Sequence, residues 1–382
     1  MQRDPLKSLR VAVNGGSIGG LCAGIALRGN GARVDIYEWI AGPMETRGAG
    51  IVVQPELTNL LSQFGAPELP HTSCSSRRYL SPDGGDGHLE PMPQQFTSWE
   101  AIYKTLRAAF PDAHYHVGAS VLSFETTANG IEIELSGNVR RSVDLLVCAD
   151  GAQSETRRHL LPEVMPRYAG YIAWRGSLPE ADAPNHLASF FDDKFTFSDA
   201  RSGGHILVYL IPGANADTTP GKRLLNWVWY VHASEAELPE LLTDRDGRRH
   251  HSSLPQGGAT EAAVAALRDH ARREIHPCMA ELVASTPDPF IQTIVDDVVP
   301  RTVFGRACLL GDAAFVVRPH TAGATAKAAR DSMLLAEALV QAQGNVPQAL
   351  GAFESAQINY GIQMHRYGVA LGNRWARPEA RV

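Results

Sequence analysis

Residues 11–38, VAVNGGSIGGLCAGIALRGNGARVDIYE, constrain the fold of this chain more than any other stretch. They begin in an apolar run, LRVAV, with the length and β-branched content of a buried parallel strand. A glycine-rich turn follows, then a segment with helical spacing, then the alternating strand RVDIYE. Strand, glycine turn, helix and strand in this order predict a dinucleotide-binding βαβ unit.

The turn carries most of a nucleotide-binding fingerprint. Gly15 supplies the sharp turn, with Gly16 beside it, and Gly20 allows the helix to pack closely on the strand. Ser17 stands where the second fingerprint glycine is expected, but a serine is small and its hydroxyl donates to phosphate. The free N–H groups of the helix N-terminus attract an anion in either case.

Two further positions bear on this unit. Glu38 ends the second strand, where a carboxylate accepts hydrogen bonds from ribose hydroxyls. Asn14 replaces the apolar residue expected before the first glycine. A Rossmann-like turn that binds no nucleotide therefore stays open as an alternative.

Bulk properties exclude several functional classes. A chain of 382 residues predicts two packed regions, and a net charge of −6 without a long basic run argues against nucleic acid as a partner. No apolar run approaches the roughly 18 residues of a membrane span. The five cysteines are scattered without a Cys-x-x-Cys pair, which predicts reduced thiols in the cytoplasm and no metal site.

Two more apolar strands each end in a turn with an adjacent aspartate and glycine. The segment VDLLVCADGAQSETRR, residues 143–158, breaks at Asp150 and Gly151, and Arg157 follows. The segment GRACLLGDAAFVVRPHTAGATAKAARD, residues 305–331, ends its strand in Gly311-Asp312 and then starts a long helix. Either pair alone is typical of a simple turn, so the order of the three motifs carries the information.

That order resembles the single-component FAD-dependent aromatic-ring hydroxylases, which have the fold of para-hydroxybenzoate hydroxylase. The resemblance implies an α/β fold: a Rossmann-like FAD-binding domain of the GR2 type, an inserted β-sheet substrate domain and a long C-terminal helical segment. The FAD-binding domain is expected at residues 1–70, 98–165 and 285–382, and the substrate domain at 71–97 and 166–284. The C-terminal segment either covers the FAD-binding domain or joins a second subunit in a homodimer.

The resemblance also implies which residues hold the cofactor. Asp312 is expected at the ribityl chain of FAD, and Asp150 and Arg157 near the dinucleotide, where that segment also serves NADH or NADPH as co-substrate. The full set of cofactor-binding candidates is Gly15, Gly16, Ser17, Gly20, Glu38, Arg47, Asp150, Arg157, Gly311, Asp312, Pro319, Gly323, Ala324 and Thr325.

Four further segments resemble the branch of the family that contains 2,6-dihydroxypyridine 3-hydroxylase: GAGIVVQPEL (48–57), YAGYIAWRGSL (168–178), FFDDKFTF (190–197) and RPHTAGATAKAARD (318–331). The implied reaction uses O2 and a flavin C4a-hydroperoxide to hydroxylate a small hydroxylated aromatic or N-heteroaromatic ring. Such chemistry needs a dry pocket and a group that hydrogen-bonds the substrate hydroxyl.

His320, next to Pro319, is the candidate for the catalytic acid or base, because a neutral imidazole accepts a phenol-type proton near neutral pH. A histidine that merely caps its loop is the alternative. Alternation in NWVWYV places Trp227 and Trp229 on one face of a strand and Tyr230 on the other. The substrate-binding candidates are Gln54, Trp174, Arg175, Asp193, Tyr209 and Tyr230.

The chain also departs from the family pattern. Trp99 stands where an arginine usually opens a helix, Ala324 replaces a loop glycine that sits one residue early as Gly323, and Ala326 replaces an asparagine. The changes at residues 324 and 326, together with Asn14 and Ser17, support a degenerate member that binds a flavin or another ligand as a sensor, or that folds without a cofactor. An NAD-linked dehydrogenase that uses the N-terminal unit alone is a third reading, but it leaves Gly311 and Asp312 unexplained.

Overall fold

A computed structural model describes residues 5–42, 44, 50–85 and 87–376 of the chain. The strands, in chain order, are β1 (Arg10–Asn14), β2 (Arg33–Glu38), β3 (Gly50–Val52), β4 (Thr72–Leu80), β5 (His88–Ser98), β6 (Tyr115–Val117), β7 (Val121–Thr126), β8 (Ile131–Leu135), β9 (Val139–Val143), β10 (Leu145–Cys148), β11 (Arg167–Pro179), β12 (Lys194–Asp199), β13 (His205–Ile211), β14 (Leu224–His232), β15 (Phe290–Val298), β16 (Val303–Phe304), β17 (Ala307–Leu309) and β18 (Phe315–Val316).

The helices are α1 (Ile18–Gly29), α2 (Pro55–Gln63), α3 (Trp99–Ala108), α4 (Glu155–Leu160), α5 (Asn185–Phe191), α6 (Leu238–Leu241), α7 (Glu261–Glu274), α8 (Pro277–Ser285), α9 (Ala324–Gln341) and α10 (Val346–Ala376). Within the described ranges, no helix combines the length and apolar character needed to cross a bilayer. Across the same residues, no three His, Cys, Asp or Glu side chains cluster in a way that suits a metal ion.

A six-stranded sheet in the order β16-β17-β10-β1-β2-β6 forms the first layer. Its strands β17, β10, β1, β2 and β6 run parallel, and only β16 pairs antiparallel. Apolar residues of β1 and β2 bury one face of this sheet under α1, and α9 packs against α1. The βαβ unit predicted from the opening stretch is confirmed, with β1, α1 and β2 as its parts.

A nine-stranded sheet in the order β18-β15-β11-β14-β13-β12-β4-β5-β3 forms the second layer. One face packs under α5, α7 and α8, and Trp227 and Trp229 are fully buried there. Tyr230 lies on the opposite face, as the alternation predicted. Strands β3, β15 and β18 also belong to this sheet, although they come from segments that the sequence analysis gave to the FAD-binding domain.

The long C-terminal helical segment is confirmed as α9 and α10. Helix α9 packs between α1, α2 and α10, and α10 also contacts β15, β16 and β18. The helical segment therefore closes over the junction of the two sheets.

Candidate active site

The three motif turns lie side by side at one edge of the six-stranded sheet. Asn14 is in register with Cys148, and Cys148 with Leu309, so the residues that follow each strand emerge together. A Cβ atom placed on Gly19 would lie 3.8 Å from Ala149 Cβ and 3.8 Å from Leu310 Cδ2. The carboxyl ends of parallel strands are where such sheets bind ligands, so this edge is the candidate cofactor site.

The first turn is built so tightly that only glycine fits. Gly15 has φ +104°, and a Cβ there would lie 2.4 Å from the carbonyl oxygen of Ala149. A Cβ on Gly20 would lie 1.8 Å from the carbonyl oxygen of Gly15. Helix α1 begins directly after Ser17, which makes no side-chain cap, and its first turn contains no acid. The free N–H groups of that turn suit a phosphate anion.

Glu38 is held against this turn. Its carboxylate accepts hydrogen bonds from the backbone N–H of Gly16, at 2.8 Å, and of Ile40, at 2.9 Å. Tyr115 supports the turn from the other side, because its hydroxyl donates to the Gly16 carbonyl at 2.8 Å. A carboxylate has about four acceptor positions, so Glu38 keeps capacity for ribose hydroxyls.

The side chain of Asn14 makes two hydrogen bonds that explain why a polar residue stands at this position. Its amide nitrogen donates to Thr156 Oγ1 at 3.2 Å, and its carbonyl oxygen accepts from the backbone N–H of Val121 at 3.2 Å. The side chain therefore ties β1 to α4 and to β7. Another departure, Trp99, opens α3 and stacks on Tyr103, with ring centroids 5.2 Å apart and planes 8° apart.

Asp150 and Arg157 are largely engaged within the protein. Asp150 accepts from the Ser154 hydroxyl at 2.7 Å and from the Thr156 N–H at 3.0 Å, which shapes the turn into α4. Arg157 is 2% exposed and forms an ion pair of 2.8 Å with Asp297.

Arg157 also joins two of the motifs. Its guanidinium donates to the carbonyl of Ala152 at 2.6 Å and to those of Asp312 and Ala313 at 3.0 Å each. The Asp-Gly segment and the Gly-Asp segment are thus linked through one buried side chain. Arg157 shapes the candidate site through the backbone of these two turns.

A buried lysine stands behind the Gly-Asp turn. Lys327, in the first turns of α9, is 1% exposed, and its Nζ has no hydrogen-bond partner among the described residues. It lies 3.5 Å from the carboxylate of Asp312, which is partly exposed at the sheet edge. An ammonium group that lacks a hydrogen bond, next to a partly exposed carboxylate, fits a bound group that carries both hydroxyls and negative charge. The donor set at this edge therefore fits FAD.

The loop before α9 supplies the other predicted cofactor positions. Pro319 begins a short helical turn that ends in Ala322, whose φ is +50°, so the left-handed residue of this loop is an alanine. Gly323 is the N-cap of α9, with φ −102°, and Ala324 and Thr325 begin the helix. Helix α9 therefore begins without a side-chain cap.

His320 lies in a cage of aromatic side chains on the open face of the nine-stranded sheet. Its Nε2 is 2.9 Å from the hydroxyl of Tyr171 on β11. Its ring centroid is 4.3 Å from that of Tyr230 on β14 and 5.4 Å from that of His205 on β13. Loop and sheet together enclose the imidazole.

The surroundings keep this imidazole neutral. Burial, followed by the nearby His205, Arg318 and Arg175, lowers the pKa of His320 to about 3. Burial likewise raises the pKa of Tyr171 and of Tyr230, so both phenols stay protonated at neutral pH. The cage is a neutral hydrogen-bonding surface with guanidinium groups at its border.

Only some of the predicted substrate residues share this face. Arg175 and Tyr209 lie on it with Tyr230, whereas Trp174 points to the opposite face and packs into the core under the helices. Asp193 is exposed before β12, where it accepts from the backbone N–H of Ser75 at 2.8 Å.

Gln54 and Arg47 are the two remaining residues predicted for the site. Gln54 is the N-cap of α2, two residues after the end of β3, and makes no side-chain cap. Arg47 falls outside the described residues. The first residue of β3 does reach this face: a Cβ on Gly50 would lie 2.6 Å from the Tyr209 ring.

Sequence reasoning missed Tyr171 and His205. Strand alternation counted from Arg175 places Tyr171 on the same face, four residues earlier, and excludes Trp174. His205 is opposite Tyr230 in the register of β13 and β14, which a single sequence does not reveal.

Comparisons with known proteins agree with this geometry. A family model described as FAD binding domain-like matches residues 168–296. The chain is 34% identical over 357 residues to 2,6-dihydroxypyridine 3-monooxygenase of Paenarthrobacter nicotinovorans, covering 92% of this chain and 88% of that protein. It is 25% identical over 387 residues to 6-hydroxynicotinate 3-monooxygenase of Pseudomonas fluorescens, covering 97% and 92% of the two chains.

One solved structure shares the fold of this chain along most of its length. The structure of 2,6-dihydroxypyridine-3-hydroxylase from Arthrobacter nicotinovorans matches with a TM-score of 0.89 and 30% identity, covering 98% of this chain and 95% of that one. The similarity spans both sheets and the C-terminal helices, and it favours a monooxygenase over the sensor and dehydrogenase readings. The chain therefore belongs to the single-component FAD-dependent aromatic-ring hydroxylases and is a monooxygenase that uses FAD, with NADH or NADPH as co-substrate.

Proposed function

We propose that this monooxygenase hydroxylates a small, planar, hydroxylated N-heteroaromatic ring similar to a dihydroxypyridine. The observation that carries the proposal is the cage in which His320 meets Tyr171, Tyr230 and His205, beside the N-terminus of α9. Their ring centroids lie 4.3–5.6 Å from that of the imidazole, so the rings pack against it and form a cluster of flat faces and polar edges. The names of the similar proteins, a dihydroxypyridine and a hydroxynicotinate monooxygenase, support this substrate class.

The residues at the sheet edge would hold the cofactor. Glu38 takes the ribose, the turn at Gly15–Ser17 and the N-terminus of α1 take the pyrophosphate, and Asp312 takes the ribityl hydroxyls. FAD, when bound, accepts electrons from NAD(P)H and activates O2 for transfer to the ring. The N-terminus of α9, which has no side-chain cap, would stabilise negative charge on a bound flavin through its N–H groups.

The residues of the sheet face orient the substrate and keep the site dry. Val228 and Leu207 form the apolar centre of that face, between the cage and Tyr209. Excluding water there protects the activated oxygen from unproductive decay. His320 contacts the substrate oxygen through a hydrogen bond, which fixes the ring relative to the cofactor.

The test is substrate-stimulated NADH or NADPH oxidation by the yellow holoenzyme. We expect 2,6-dihydroxypyridine to stimulate it and to yield a product one oxygen atom heavier by mass spectrometry. His320→Gln should lower product formed per NAD(P)H consumed by about tenfold or more, whereas His186→Gln, at an exposed histidine paired with Glu281, should match the parent. If no hydroxylated pyridine gives an oxygenated product, the proposed substrate class is wrong.

We also propose a cytoplasmic location. Support comes from the five cysteines, all free and four of them buried, which suits a reducing compartment. Assembly as a homodimer through the C-terminal helices stays a prediction. Light scattering coupled to size-exclusion chromatography tests it directly.

A further inference from the structure

A groove of about 990 Å³ lies between the six-stranded sheet and the small sheet formed by β7, β8 and β9. Residues of β1, β2 and β6 line one side of it, and residues of the β8–β9 hairpin line the other. The last turn of α1 lines one end. Ligand sites in proteins span about 300–1,000 Å³, so this groove is large enough for a ligand of nucleotide size.

The groove and the candidate cofactor site lie on opposite faces of the same two strands. On β2, Glu38 accepts from the Gly16 N–H at the cofactor edge, whereas Tyr37, one residue earlier, lines the groove. On β6, Tyr115 donates to the Gly16 carbonyl, whereas His116, one residue later, lines the groove. Successive side chains of a strand point to opposite faces, so FAD bound at the cofactor edge leaves the groove open.

Positive charge exceeds negative charge along this groove. Among the described residues, its lining contains one carboxylate, that of Asp35, and the guanidinium groups of Arg10, Arg28, Arg33 and Arg141. Arg10 pairs with Asp144 at 3.0 Å, but the other three arginines form no ion pair within the described part of the chain. Arg33 is directly beside Arg10 in the register of β1 and β2, and neighbouring strands lie about 4.8 Å apart.

The carboxylate of Asp35 already has two partners. Its Oδ1 lies 3.0 Å from Nδ1 of His114 and 2.9 Å from Nε2 of His116. An ionised carboxylate only accepts hydrogen bonds, so each of these ring nitrogens carries a hydrogen. Asp35 therefore binds the two imidazole rings, and the three arginines without an acid partner suit an anionic ligand.

Tyr37 adds a buried donor to this basic groove. The residue is 7% exposed and packs against the apolar side chains of the small sheet. Its hydroxyl lines the groove without a hydrogen-bond partner among the described residues. Burial, followed by the nearby Asp35, raises the pKa of Tyr37, so the phenol keeps its proton at neutral pH. A buried O–H without a partner is suited to donate to a phosphate oxygen.

His116 provides a surface on which a planar ring can stack. Tyr37 covers one face of the imidazole, with ring centroids 5.0 Å apart and planes 19° apart. The His116 side chain is still 40% exposed. Nucleobases stack on aromatic and histidine rings in protein sites, so a base fits here next to the arginines.

We propose that this groove is a second binding site, separate from the cofactor site, for a nucleoside phosphate. The base stacks on His116, Arg33 and Arg141 bind the phosphates, and the Tyr37 hydroxyl donates to the ligand. The proposal holds whichever ring the enzyme hydroxylates. An inorganic polyphosphate is the competing ligand, because it carries the same charge but lacks the ring.

Isothermal titration calorimetry of the FAD-saturated holoenzyme with ADP, without NADH or NADPH, tests the proposal. Bound FAD occupies the cofactor edge, and low ionic strength limits the screening of exposed charges. We expect one ADP per chain with a dissociation constant of about 100 μM or lower. Adenosine and pyrophosphate should each bind about tenfold more weakly than ADP or worse, because each makes only part of the contacts.

Variants at the groove locate the bound ADP. Arg33→Gln and Arg141→Gln, both at exposed residues, should each weaken ADP binding by about tenfold or more while FAD retention stays unchanged. Arg272→Gln removes the same charge from α7, where Arg272 pairs with Asp269, and should match the parent. His116→Gln keeps a donor for Asp35 but removes the ring, so it should weaken ADP binding and leave pyrophosphate binding unchanged.

Three results would overturn the proposal. The first is a holoenzyme that does not bind ADP. The second is an ADP affinity that is unchanged in both groove arginine variants or lowered equally in Arg272→Gln, because ADP would then bind elsewhere or respond to net charge alone. The third is pyrophosphate binding as tight as that of ADP with no effect of His116→Gln, which would identify a polyphosphate site without a stacked base.

Discussion

Replacing Arg157 with methionine tests whether the buried pair with Asp297 holds the cofactor edge together. The carboxylate of Asp297 is fully buried, so the variant leaves it without a cation in a dry site. Removing one partner of such a pair costs about 3–5 kcal/mol. We therefore expect the free energy of unfolding of the FAD-free protein to fall by about that amount near neutral pH.

The pH dependence identifies the cause. Burial raises the pKa of Asp297 even with Arg157 present, and removing Arg157 raises it further. The folded variant then binds more protons than the unfolded chain, so its stability is highest in acid and falls as pH rises through this range. The loss relative to the parent should thus be smaller at about pH 5 than at about pH 8.

Urea unfolding at both pH values, followed by circular dichroism, measures these differences. Asp297→Asn in the same background should recover part of the loss, because the charge that lacks a partner is gone. The reasoning is refuted if Arg157→Met costs the same at both pH values and the second substitution recovers nothing.

The remaining predictions concern the first turn of the nucleotide site. Asn14→Val, which restores the apolar residue of the fingerprint, should lower the free energy of unfolding by about 1 kcal/mol, because it removes the part-buried hydrogen bonds to the Val121 N–H and the Thr156 hydroxyl. Thermal unfolding checks this, and an unchanged or higher melting temperature would contradict it. Gly15→Ala should abolish FAD retention on purification, because its Cβ would lie 2.4 Å from the Ala149 carbonyl oxygen. A variant that purifies with bound FAD would contradict this prediction, because the turn would then have moved to accept the Cβ.

Local periodicity explains what the sequence predicted well. The βαβ unit and the faces of β14 follow from spacings within a few residues, and the structure confirms both. The three motif turns meet because parallel strands present their carboxyl ends together, which strand type alone indicates.

The sequence analysis missed contacts between residues that lie far apart in the chain. Arg157 pairs with a residue 140 positions later in the chain, and no local pattern indicates that partner. Trp174 and Arg175 were grouped as pocket residues although neighbours on a strand point to opposite faces. The departure at Asn14 looked like a defect of the nucleotide site, yet its amide joins three segments of the fold.

The adjacent aspartates of β15 bear on how the substrate specificity of this enzyme can be re-engineered. Asp296 holds the arginine that precedes the His320 loop, and Asp297 holds the arginine that shapes the Gly-Asp turn. All four charged residues lie outside 166–284, the stretch that supplies most of the substrate sheet. A chimaera that takes this stretch from a relative would therefore keep both arginine–aspartate ion pairs within the recipient chain. Its substrate specificity would change while the residues at the candidate cofactor site stay the same.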